Sequence, residues 1–99
     1  MKNLNSSQRS YLKSQSHHLE PVIHIGKNGL MEGTLHSINT VLLVKELIKI
    51  KFREYKDDKQ EISEKISRET KSIIVGIIGH TLILFKQNSN PEKQKYKLP

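Results

Sequence analysis

"VIHIGKNGLMEGTL", residues 22–35, changes character halfway along its length. Val22, Ile23 and Ile25 form a short β-branched apolar run that reads as a buried strand. Three of the chain's five glycines follow within eight positions. Beyond Gly29, apolar residues fall at Met31, Leu35, Ile38 and Leu42, steps of four, three and four that share one helical face. Gly33 lies inside that helix, where glycine costs about 1 kcal/mol against alanine unless something packs closely on it. The stretch is therefore strand, turn, helix, with Gly26-Lys27-Asn28-Gly29 as the turn.

Upstream, Ser6 and Ser7 are candidate caps for a helix reaching about His18, with Pro21 as its stop. Downstream, "ELIKIKFR" (46–53) alternates Ile48, Ile50 and Phe52 with Lys49, Lys51 and Arg53, which puts three cations on one face of a strand. "DKQE" (58–61) has a capping-box pattern and opens a third helix bearing Ile62 and Ile66. "SIIVGIIGHTLILFK" (72–86) is apolar on both sides of Gly79-His80 and reads as a buried hairpin. The order is α-β-α-β-α-β-β. Strands joined through helices should run parallel, so the expected fold is a single α/β domain with three helices and a mixed four-stranded sheet. Residues 1–99 make one domain, with its core at about 4–86 and a polar tail over 87–99.

The composition narrows the function. Seventeen Lys and Arg against ten Asp and Glu leave +7, unevenly spread. Residues 1–53 carry eight basic and three acidic side chains, 54–72 five and six, and 73–99 four and one. A basic domain of this size suits a polyanionic partner, nucleic acid before membrane. No apolar run approaches the roughly 20 residues of a membrane span. The polar N-terminus and the absence of cysteine point to a cytoplasmic protein.

Catalysis is poorly supplied. There is no cysteine and no serine in a nucleophile-elbow context, and many of the acids gather on the third helix. His17 and His18 diverge by roughly 100° on a helix, and His24, His36 and His80 form no metal-binding pattern. No metal, cofactor or enzymatic activity is expected. "GKNG" is not a P-loop, which needs four residues between its glycines. It has two readings. One is a turn in which glycine serves geometry. The other is a loop that clamps a sugar-phosphate backbone, as the GXXG loop of KH domains does. Further candidates are Lys49, Lys51 and Arg53 on the strand, and Arg9 and Lys13, four apart on one face of the first helix near Tyr11.

Taken together, "QRSYLKSQSHHLEPVIHIGKNGLMEGTL" (8–35), "ELIKIKF" (46–52), "IGHTLILFK" (78–86) and the closing "KYKLP" resemble the CRM domain (chloroplast RNA splicing and ribosome maturation), in its bacterial single-domain YhbY-type form. The resemblance implies RNA binding through Gly26, Lys27, Asn28 and Gly29 and neighbouring basic residues. It implies association with precursors of the large ribosomal subunit, and no catalysis. The candidate RNA contacts are thus Gly26–Gly29, Arg9, Lys13, Lys49, Lys51 and Arg53, in a protein expected to be monomeric. The alternative is a protein-interaction module that reaches the ribosome through a protein partner. Glu20 departs from the family pattern, which usually has lysine before the proline, and His80 stands where lysine or arginine is frequent.

Overall fold

Alternation over 47–52 becomes β2, the strand around which the rest is arranged. The computed structural model describes residues 3–99, as α1 (Ser6–Ser16), β1 (Ile23–Ile25), α2 (Glu32–Lys45), β2 (Leu47–Phe52), α3 (Lys59–Thr70), β3 (Ile73–Ile78) and β4 (Thr81–Phe85). Single 3-10 turns occupy Lys56–Asp58 and Pro91–Lys93. Three helices and a mixed four-stranded sheet bear out the expected class.

The strands lie side by side as β1-β2-β4-β3. β1 runs parallel to β2, and β4 is antiparallel to both β2 and β3. The closing hairpin thus does not simply extend the sheet: β4 enters between β2 and β3. Its residues Leu82–Phe85 are all buried, which suits a strand covered on both faces. Gly79 turns the hairpin at φ +60, a conformation that glycine adopts without steric cost.

One face of the sheet receives α2 and α3. Ile25, Ile48, Ile50, Phe52, Leu82 and Leu84 meet Ile38, Leu42 and Ile66 there. The other face receives α1 and the tail, where Leu12 and Leu4 join Leu47, Val75, Ile83 and Phe85, with Tyr96 and Leu98 packed against them. The Tyr96 ring stands edge-on to Phe85, with centroids 6.2 Å apart.

Glu46 holds the tail in place. This residue is 1% exposed and ends α2 at φ +65. Its carboxylate accepts the backbone N–H groups of Asn88, Lys95 (2.7 Å) and Tyr96 (3.3 Å), and its carbonyl accepts that of Lys86 (2.8 Å). Burial, then the charges of Glu46 and Tyr11, push the Tyr96 phenol above its ordinary pKa.

Several local expectations change. The cap of α1 is Asn5, not Ser6 or Ser7: its side chain accepts the Gln8 N–H at 2.8 Å, and Gln8 Oε1 accepts the Asn5 N–H at 3.1 Å. The helix stops at Ser16, before Pro21 is reached, where the Ser16 hydroxyl donates to the Lys13 carbonyl. Asp58 makes no side-chain cap, because the 3-10 turn at Lys56–Asp58 already leads into α3. Val22 precedes β1 and is exposed. Met31 is the uncapped residue before α2 and is also exposed, and a side chain at Gly33 would meet open space, so no close packing explains that glycine.

Candidate nucleic-acid interface

In β1, Ile23 and Ile25 pair with Ile50 and Phe52 on the core side, and His24 pairs with Lys51 on the opposite face. The chain leaves β1 through a tight turn closed by Gly29 N–H donating to Gly26 O at 3.0 Å. Gly29 has φ +66. A β-carbon there would also lie 3.3 Å from the Tyr55 ring, so backbone conformation and space both call for glycine.

Tyr55 is the anchor of this loop, and sequence reasoning missed it. Its hydroxyl donates to Lys27 O at 2.8 Å, and its own backbone is left-handed at φ 57. Arg53 and Glu54 both donate their N–H groups to Ile25 O. The loop backbone is thus tied to the segment after β2, while the Lys27 and Asn28 side chains are exposed. Helix α2 begins only at Glu32, with Leu30 and Met31 intervening, so the helix terminus does not adjoin the turn directly.

The ends of β1 and β2 and the β3–β4 turn lie at the same end of the sheet. Phe52 N–H donates to His80 O at 2.8 Å, and Lys59 Nζ donates to Gly79 O and lies 3.3 Å from His80 Nδ1. Arg53 Nε donates to His24 Nδ1 at 3.2 Å. Desolvation, followed by the ammonium groups of Lys59, Lys56 and Lys51, holds His80 below the ordinary histidine pKa, with Asp57 opposing. Such repulsion marks a concentration of positive charge. Lys56 and Lys59 belong to the segment with nearly balanced charge. Averaging over that segment hides them, and only the turn before α3 brings them to the hairpin.

The predicted contacts do not all gather here. Lys49 and Lys51 lie half-buried on the α1 side of β2, and Arg53 is exposed beyond them. Arg9 is elsewhere and already engaged. Its guanidinium donates to Ile74 O (2.6 Å) and Val75 O (2.8 Å), where the register of edge strand β3 shifts. Lys13 lies over Gly76 of the same strand. These two side chains clip α1 to the sheet edge opposite β1. Among the described residues, no three His, Cys, Asp or Glu side chains gather to hold a metal, and no helix is long and apolar enough to cross a membrane.

Residues 4–86 match the family model of the CRS1/YhbY (CRM) domain. The chain is 42% identical to an RNA-binding protein of Haemophilus influenzae, covering all of this chain and 98% of that one. It is 31% identical to the probable RNA-binding protein YqeI of Bacillus subtilis, over 97% and 99% of the two chains. The fold is similar to that of a hypothetical Staphylococcus aureus protein solved in solution, with a TM-score of 0.81 at 32% identity, covering 97% and 99%.

Proposed function

The chain belongs to the CRS1/YhbY (CRM) domain family, and on that premise we propose that it binds RNA of the precursor large ribosomal subunit, as a cytoplasmic, non-catalytic assembly factor. The observation that supports this most is the anchored loop. The Tyr55 hydroxyl tethers the loop at Lys27 O and the Arg53–Glu54 backbone holds its start at Ile25 O, and the exposed Lys27 and Asn28 lie beside a face bearing Lys49, Lys51 and Arg53. A tethered backbone with free cationic and amide side chains can grip a phosphate chain at low entropic cost. Lys56 and Lys59 extend the same field. Arg9 and Lys13, expected as flanking contacts, serve the α1–β3 junction in this reading.

If about five phosphates of single-stranded RNA are neutralised, log affinity should fall against log salt with a slope near −3.5, roughly 100-fold between 50 and 200 mM. The test is a salt titration with large-subunit ribosomal RNA, in wild type and in the Lys27→Ala/Asn28→Ala double variant. The variant should bind more weakly and with a shallower slope while melting as wild type does. Unchanged affinity in a folded variant would reduce the loop to a turn.

The depressed His80 adds a pH dependence. Its neutral form is favoured in the fold, so the unfolded chain takes up the proton first, and this stabilising contribution weakens as pH falls below 6.5. An RNA phosphate beside Lys51, Lys56 and Lys59 offsets their repulsion and raises the His80 pKa in the complex. Binding then takes up a proton, and affinity should rise as pH is lowered through about 6.5, the unperturbed histidine value. His80→Gln should flatten that rise. An identical pH profile for the variant would place the phosphate elsewhere.

A protein contact has its own supporting observation. Leu43 and Val44 are 57% and 64% exposed near the C-terminal end of α2, at the end of the sheet away from the loops. Pull-down of ribosomal particles before and after nuclease treatment separates the readings: loss of particles favours RNA, and persistence favours a protein partner.

A further inference from the structure

The sheet face that carries Lys49 and Lys51 is covered only in part. Helix α1 and the tail close the end at Leu47, Val75, Ile83 and Phe85. Toward the loop end, a row runs across all four strands on that same face: His24 pairs with Lys51, Lys51 with Thr81, and Thr81 with Ile78. His24 and Ile78 are exposed, and Lys51 and Thr81 are half-buried. The segment after α1 walls this row, leaving an open cleft of about 440 Å³ lined by Leu19, Pro21, Lys49, Lys51, Ile78 and Thr81.

The cleft is graded. Its cationic side is β2, next to β1 and the Gly26–Gly29 loop. Its apolar side is Ile78, 55% exposed on β3, with the Thr81 hydroxyl between them. β2 and β3 are two strand spacings apart, about 9–10 Å. A nucleotide carries the same gradient, a charged phosphate at one end and the flat apolar face of a base at the other. The cleft volume falls within the roughly 300–1,000 Å³ range of small-ligand sites. A duplex fits poorly, because its base faces are already stacked and its wide groove offers hydroxyls and edges to shape-reading surfaces.

We infer that single-stranded RNA crosses this sheet face, with one unstacked nucleotide seated in the cleft: its phosphate at Lys49 and Lys51, its base on Ile78 and Pro21. The inference rests on the RNA-binding reading and adds which form of RNA is bound and where a base sits. Glu20 also lines the cleft and opposes the lysines there, so its carboxylate lowers the grip on phosphate at this subsite.

The experiment compares a labelled single-stranded RNA heptamer with the same strand annealed to its complement, against wild type and Ile78→Ser. Ile78 is exposed, so the substitution leaves both cores intact, which a thermal melt verifies. The single strand should bind wild type more tightly than the duplex. Ile78→Ser should weaken single-strand binding roughly fivefold, the effect of withdrawing about one methylene's worth of apolar contact from the base. The salt slope should stay the same, because no charge is removed. As a second measurement, a photoreactive uridine in the heptamer should crosslink to residues 16–21 or 78–81. Equal affinity for duplex and single strand, or an Ile78→Ser variant that binds as wild type, overturns the cleft while leaving the RNA reading in place. If neither RNA form binds wild type, the RNA reading itself fails.

Discussion

Replacing Glu46 by alanine is expected to lower the stability of the domain by roughly 3 kcal/mol, through loss of acceptors for charge-assisted hydrogen bonds. For a chain of this length that corresponds to a drop in melting temperature of about 15 °C. The carboxylate is buried and accepts three backbone N–H groups of the tail, from Asn88, Lys95 and Tyr96. Without it these donors must find water, so the tail peels away and uncovers the Phe85 and Leu47 side of the core. Alanine also keeps the left-handed backbone that glycine would relieve, at a cost of about 1–2 kcal/mol for an L-residue. Glu46→Gly should consequently suffer less than Glu46→Ala from strain, while losing the same three hydrogen bonds. Thermal melts of both variants, with limited proteolysis of residues 87–99, measure the effect. A Glu46→Ala protein that melts as wild type and keeps its tail protected would show that Tyr96 and Leu98 dock the tail without the carboxylate.

The second large effect concerns binding. Lys49→Gln, Lys51→Gln and Arg53→Gln combined should lower RNA affinity about 100-fold at low salt, and should reduce the magnitude of the salt slope by about 2 if each cation neutralises one phosphate of a single strand. All three alternate along the chain, Lys49 and Lys51 in β2 and Arg53 just after it, on the part of the α1 face that the helix does not cover. Ile48, Ile50 and Phe52 on the other face are untouched, so the core stays filled. Glutamine keeps most of the aliphatic stem over the sheet, which separates loss of charge from loss of packing. Binding isotherms at several salt concentrations give the slope directly. An unchanged slope in a folded triple variant would move the phosphate contacts off this face.

Residues 48–53 show how far the chain could be read in advance. The two-residue period sorts apolar from cationic side chains regardless of what lies beyond, so the buried face and the basic face both follow from local spacing. For Gly26–Gly29 the sequence alone left two readings open, a turn and a loop that faces an anion. What ties the loop down is Tyr55, 26 residues on from Gly29, and no local spacing announces that contact. Arg9 shows the reverse case. Its place on a helix face beside Lys13 suggests a free cation, yet its guanidinium is spent on two carbonyls of a strand 65 residues away. His80 and Lys59 meet only because the turn before α3 brings the start of that helix to the hairpin.

The order of elements, the helix faces and the alternation of β2 belong to the sequence itself, because the periods of helix and strand are properties of a few consecutive residues. Tertiary structure alone decided that β4 lies between β2 and β3, that Glu46 turns inward to hold the tail, and that α1 leaves the Lys51 row uncovered. Each of those outcomes depends on which distant surfaces bury one another and which backbone groups find partners. No local spacing records that choice, since the same amphipathic strand satisfies its own pattern at any position in the sheet where its apolar face is covered.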